Sequence, residues 1–126
     1  MKVEVEARIY PSEDSEKVEE AVSNIFPTLD LEVKDQMVKG SSKDPKSLEP
    51  LRNKLGLQAI RDSARREIKK GLVENSVRFS LNKQAATVDK ISFSTGDTPL
   101  GTIDVTIEAK NINQVVDFVA PSKDKR

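Results

Sequence analysis

The chain has no cysteine, no histidine and no tryptophan in 126 residues, and only one tyrosine and four phenylalanines. Without thiols or imidazoles it lacks thiolate nucleophiles, imidazole bases, disulfides, iron–sulfur ligands and the usual zinc ligands. No apolar run approaches the roughly 18 residues of a membrane span. The opening MKVEVEARIY alternates where a signal peptide needs a continuous apolar stretch, so the expected location is the cytoplasm. An excess of either charge is also missing: 21 basic residues balance 21 acidic ones, leaving no global field to draw in nucleic acid or a membrane. Any charge-driven function must therefore be local. No recognisable catalytic motif is present, and neither enzymatic activity nor a cofactor is expected.

What is present reads as one α+β domain over residues 1–120, with residues 121–126 as a disordered tail. Val3, Val5, Ala7 and Ile9 alternate with Glu4, Glu6, Arg8 and Tyr10, the period of a strand with one wet face. Acidic Glu13, Asp14 and Glu16 then precede Val18, Ala21, Val22, Ile25 and Phe26 at helical spacing, and Pro27 ends that helix. Residues 31–38 read as a second, less regular strand, and GSSKDPKS (40–47) as a mobile surface loop. A long periodic stretch runs from Ser47, as N-cap, to Gly71, with Gly56 as a possible dividing point and Leu57, Ile60, Ala64 and Ile68 on one face.

Val77, Phe79 and Leu81 form a third strand, and NKQAA (82–86) suits one capped helical turn. Strand character resumes at 88–93 and at Ile103, Val105 and Ile107, with TGDTPLG (95–101) as the turn between them. Ile112, Val115, Val116 and Val119 make a closing helix stopped by Pro121. The expected order is β-α-β-α-β-(short α)-β-β-α: two layers, one mixed or antiparallel sheet with helices on one face.

Charge is unevenly spread along this order. Residues 1–20 carry three basic and seven acidic side chains, whereas residues 52–70 carry seven basic and two acidic. On the second long helix Arg61, Arg65, Arg66 and Lys69 fall away from the apolar face, and Arg61, Arg65 and Lys69 repeat every four residues, about 6 Å per step. Such a ridge can meet successive phosphates, although a solvated helix face needs charges too. Lys83, beside Asn82 and Gln84, adds one cation that either joins a ligand surface or belongs to a local cap.

The outward positions of the strands mix both signs. Phe79, Phe93 and Phe118 read as core, so no aromatic stacking platform is expected. Asp104 and Glu108 share a strand face and could hold Mg²⁺, but exposed acids on a wet strand are usually only solvated.

The strings RIYPSEDSEKVEEAVSNIFP (8–27), QAIRDSARREIKKG (58–71), SLNKQAA (80–86) and PLGTIDVTI (99–107) resemble the archaeal uncharacterised protein family 0201. The resemblance runs in order along nearly the whole chain. It implies an α+β fold similar to a large-subunit ribosomal protein, a non-catalytic role on RNA and a link to the exosome. The family's Gln-x-x-Arg-Asp-x-Ala-Arg pattern falls on Gln58, Arg61, Asp62, Ala64 and Arg65, and its Asn-Lys-Gln string on Asn82, Lys83 and Gln84. The leading expectation is an RNA-binding accessory protein using Arg61, Arg65, Arg66, Lys69 and Lys83 on phosphates. The alternative is a protein-interaction subunit or homo-oligomer, in which the acidic first helix and the basic second helix meet complementary surfaces.

Overall fold

Alternation at the N-terminus builds the central strand. In the computed structural model, which describes residues 1–94 and 101–122, β1 (Lys2–Arg8) buries Val3, Val5 and Ala7 and exposes Lys2, Glu4, Glu6 and Arg8. It pairs antiparallel with β3 (Met37–Ser42) on one side and β6 (Thr102–Glu108) on the other. With β2 (Asp30–Lys34), β4 (Leu72–Val73) and β5 (Ser76–Asn82), the described strands form a six-stranded antiparallel sheet in the order β2-β3-β1-β6-β5-β4.

Register aligns the apolar positions into rows: Val3, Ile107 and Val77; Val5, Val105 and Phe79; Ala7, Ile103 and Leu81. All nine side chains are buried, because a period of two puts every second residue of each strand under the helices.

The helices cover that one face. α1 (Ser15–Ile25) starts at Asp14, whose carboxylate accepts from the Glu16 amide at 2.9 Å, and buries Val18, Ala21, Val22 and Ile25. It packs over β2 and β3 and beside α4 (Lys83–Thr87). α2 (Glu49–Leu57), α3 (Arg61–Lys70) and α5 (Ile112–Val119) pack on one another, with α3 also against β5. Acidic α1 and basic α3 thus lie over opposite halves of the sheet.

Several local expectations change. The second strand is a hairpin: Asp35 and Gln36 adopt φ of 52° and 61°, and this left-handed pair reverses the chain between β2 and β3. The supposed mobile loop at 40–47 is largely ordered structure. Residues 40–42 belong to β3, and Asp44 rather than Ser47 caps a 3₁₀ turn over Pro45–Leu48 in which Ser47 is buried.

The long helix breaks at Ala59 instead of Gly56. Ala59 takes φ 57°, its amide bonds to the Gly56 carbonyl at 3.1 Å, and the Ile60 amide reaches the Leu55 carbonyl at 3.1 Å. That is a Schellman C-terminus, with alanine where glycine is usual. The break swings Leu57 off the shared face, leaving it 87% exposed while Ala64 and Ile68 are buried.

Residues 88–93 make a single bridge, Phe93 to Leu81, instead of a strand, and the short β4 is an addition. The turn at 95–101 lies outside the described residues except Gly101, as does the tail beyond Ser122; Pro121 is buried.

The Asn82 cap is as expected: its side chain accepts from the Ala85 amide at 2.9 Å. α4 ends with Asp89 at φ 60°, and the Lys90 amide bonds to the Ala85 carbonyl.

Candidate nucleic-acid interface

α3 is seated by Ala64 and Ile68, both buried, and by its C-terminal Gly71, whose carbonyl accepts from the Arg78 amide of β5 at 3.1 Å. This anchoring decides where the four expected site residues on α3 point, and it divides them.

Arg65 turns inward. Its Nη1 lies 2.7 Å from Asp117 Oδ1 and donates to the Ala120 carbonyl at 3.0 Å, fastening the end of α5 to α3. Arg61, one turn earlier, lies across Gly56 of α2, half-buried, and its Nε is buried without a hydrogen-bond partner. Arg66 and Lys69 are exposed, and among the described residues neither is in an ion pair. The ridge of Arg61, Arg65 and Lys69 therefore splits. The same i, i+4 spacing that would align three cations for phosphates turns the first two toward α2 and α5.

Lys83 is not a surface cation. It is 2% exposed, donates to the Arg8 carbonyl at 2.5 Å and to Glu13 Oε1 at 3.0 Å, and lies 5.1 Å from the Tyr10 ring centroid. Burial of an ammonium requires such partners, and these tie α4 to the loop after β1.

Gln58 is structural as well. Its side-chain amide donates to the Ile91 carbonyl at 2.9 Å and accepts from the Ile91 amide at 2.7 Å. Lys54 pairs with Asp89 nearby, so the C-termini of α2 and α4 are laced together. Much of the pattern that carries the family resemblance, at Gln58, Ala64, Arg65, Asn82 and Lys83, thus holds the fold. Replacing Arg65 with alanine should lower stability by about 2 kcal/mol, because it removes the guanidinium that bridges Asp117 and the Ala120 carbonyl and so fastens α5 to α3. Chemical denaturation measures this, and an unchanged midpoint would show that the bridge carries no weight.

Two cations that the ridge did not include join the exposed part of α3. Lys70, bonded to Glu67 at 2.8 Å, and Arg78 of β5 border a groove of about 630 Å³ whose lining includes Phe79 and Phe93, ring centroids 5.8 Å apart. The signal for Arg78 was its outward position on β5; its nearness to Lys70 follows only from the seating of Gly71 on that strand. Phe118, expected in the core, is 37% exposed with the Arg52 guanidinium stacked on its ring at 5.1 Å.

The open face of the sheet mixes both signs, with Lys2, Arg8, Lys34, Lys39 and Arg78 among Glu4, Glu6, Asp30, Glu32, Asp104 and Glu108. One row holds Glu32, Lys39, Glu6, Asp104 and Ser80, the next Asp30, Ser41, Glu4, Thr106 and Arg78. Asp104 Oδ1 accepts from the Ser80 and Thr102 hydroxyls at 2.7 and 2.8 Å. Lys2 bonds to Glu4 at 2.7 Å, and that hydrogen-bonded carboxylate raises the lysine pKa above its ordinary value. Among the described residues no group of three or more acidic side chains is placed to hold a metal ion, and no helix is long and apolar enough to cross a membrane.

Comparison with known proteins agrees with this architecture. A family model described as RNA binding matches residues 2–109. A UPF0201 protein of Methanothermobacter thermautotrophicus is 43% identical over 121 residues, covering 95% of this chain and 91% of that one. One from Pyrobaculum islandicum is 37% identical over 128 residues, covering 96% and 90%. The crystal structure of the UPF0201 protein from Methanococcus jannaschii superposes with a TM-score of 0.86 at 35% identity, covering 98% of this chain and 95% of that one.

Proposed function

The chain belongs to the UPF0201 family, and from that premise we propose that it is a non-catalytic RNA-binding protein whose phosphate contacts come from the outer side of α3. The observation that carries this reading is the pair Arg66 and Lys69, exposed on one helix and not engaged by any described carboxylate, with Lys70 and Arg78 continuing the positive surface across the groove. Like charges crowded on a helix face disfavour the helix slightly, and a polyanion laid across them removes that repulsion. The match to an RNA-binding family model supports the ligand class.

Three or four phosphates contacted give a log-log salt slope of about −2 to −4 for a structured RNA. Arg66→Ala and Lys69→Ala should each reduce that slope by about 1 and weaken binding while leaving the thermal midpoint in place. Fluorescence anisotropy across a salt series reads both quantities. Absence of binding near 50 mM salt, or indifference to salt, would remove the proposal.

A second reading has its own support, the placement of acidic α1 and basic α3 over opposite halves of the sheet. Head-to-tail association of two copies would bring Glu16 and Glu20 of one against Arg66 and Lys69 of the other. Sedimentation velocity should then show a concentration-dependent dimer at low salt that dissociates at about 0.5 M, where the screening length falls below about 5 Å. A monomer under every condition excludes it.

A further inference from the structure

β2 ends the sheet beside α1, and among the described strands β3 is its one partner. The two-residue turn at Asp35 and Gln36 closes on the pair Lys34–Met37, which fixes the alternation behind it. Lys34, Glu32 and Asp30 bond to β3, while Leu31 and Val33 turn their N–H and C=O groups away from it. No described loop or helix bonds to these outward groups. The register runs without a bulge, β2 contains no proline, and Val33 is 44% exposed. Such an edge is a template for one further strand, and charge alone decides what is admitted.

α1 flanks the edge with Glu16, Glu19, Glu20 and Ser23, one stripe at i, i+3, i+4 and i+7. Between this stripe and Asp30 and Leu31 runs a groove of about 390 Å³. None of the three glutamates is in an ion pair among the described residues, and Lys17, the one cation of α1, lines a different groove beside Lys83. Every second side chain of an added strand points to this helix side and meets the stripe. On the open side it meets Asp30, Glu32 and Lys34, with Lys39 across from Glu32, a balanced set that selects little.

We propose that the free edge of β2 takes up an extended segment of a partner protein as an added strand, with lysine or arginine at the alternate positions that face α1. Backbone bonds to Leu31 and Val33 supply the affinity, and the glutamate stripe supplies the selectivity. A second copy of β2 matches poorly, because a two-fold axis through the paired strands keeps both sets of helices on one face and brings the two glutamate stripes together. The site lies over the half of the sheet away from α3, so it stands apart from the RNA reading, and its backbone contacts separate it from an encounter between α1 and α3 of two copies.

The probes are two labelled peptides of equal length, one alternating lysine with threonine and the other glutamate with threonine. At about 50 mM salt the lysine peptide should bind at least about tenfold tighter, and it should slow amide exchange at Leu31 and Val33. Val33→Pro should abolish binding with the thermal midpoint maintained, because proline is tolerated on an edge strand where the N–H faces outward. Glu19→Gln combined with Glu20→Gln should weaken the lysine peptide about tenfold and leave the exchange pattern at saturation unchanged, which keeps the test valid if the proline variant fails to fold. RNA affinity should be the same in both variants as in the wild type.

Equal affinity for the two peptides, or no binding of either, overturns the proposal and leaves the RNA reading untouched. Binding that leaves Leu31 and Val33 exchanging freely, or that persists in a folded Val33→Pro, overturns strand addition. A wild-type dimer in sedimentation that disappears in Val33→Pro assigns the edge to a second copy and overturns the basic segment as its occupant.

Discussion

Replacing Lys83 with methionine should lower the unfolding free energy by about 3–5 kcal/mol, the largest loss expected from any single charge in the chain. The methylene stem is kept, so the change isolates the ammonium. Lys83 Nζ donates to the Arg8 carbonyl and to Glu13 Oε1, and the Glu13 side chain is itself only 11% exposed. Glu13 also accepts from the Tyr10 amide at 2.9 Å, so its carboxylate is committed to the site. Removal of the cation therefore strands a buried anion and a buried carbonyl.

Chemical denaturation gives the loss, and Glu13→Gln combined with Lys83→Met should restore part of it, because the stranded charge is then gone. RNA affinity, measured where the variant is still folded, should match the wild type. A stability loss under about 1 kcal/mol together with a shallower salt slope would instead return Lys83 to the binding surface.

Lys83 also marks the boundary of what the sequence makes legible. Patterns that repeat within one element translate directly: the alternation of Val3, Val5 and Ala7, the helical spacing of Val18, Ala21 and Val22, and the Asn82 cap all appear where the local code puts them. The destination of a charged side chain is set by a partner far along the chain. Glu13 lies 70 residues from Lys83, and the Ala120 carbonyl 55 residues from Arg65. No periodicity within either segment encodes such a partner, so a ridge read on a helical wheel includes residues that the tertiary fold takes for itself.

Turn geometry was hidden for a related reason. Asp35, Gln36, Ala59 and Asp89 occupy left-handed conformations without being glycine, so the usual punctuation is missing and the hairpin and helix break go unmarked.

Gly71→Ala should be damaging in a different way, through backbone contact. Gly71 has φ −95°, which alanine adopts without strain, so the expected effect is purely steric. A β-carbon there would lie 1.8 Å from the Arg78 carbonyl oxygen and 2.8 Å from its carbon, and a strand backbone cannot rotate away as a side-chain tip can. The end of α3 must lift off β5, breaking the 3.1 Å bond from the Arg78 amide to the Gly71 carbonyl. It also disturbs the Leu72–Val77 pairing that begins β4.

Overpacking of this kind costs about 1–3 kcal/mol, and the rigid partner puts Gly71→Ala at the upper end. Because the seating of Gly71 also sets Lys70 beside Arg78, RNA affinity should fall with it even though no charge has been removed. Hydrogen exchange at the Arg78 amide, read beside denaturation and anisotropy, links the three effects: faster exchange, lower stability and weaker binding should appear together. Wild-type stability and exchange in Gly71→Ala would mean that α3 is not held against β5 at this point, and weakened binding with normal exchange would place Gly71 itself at the RNA.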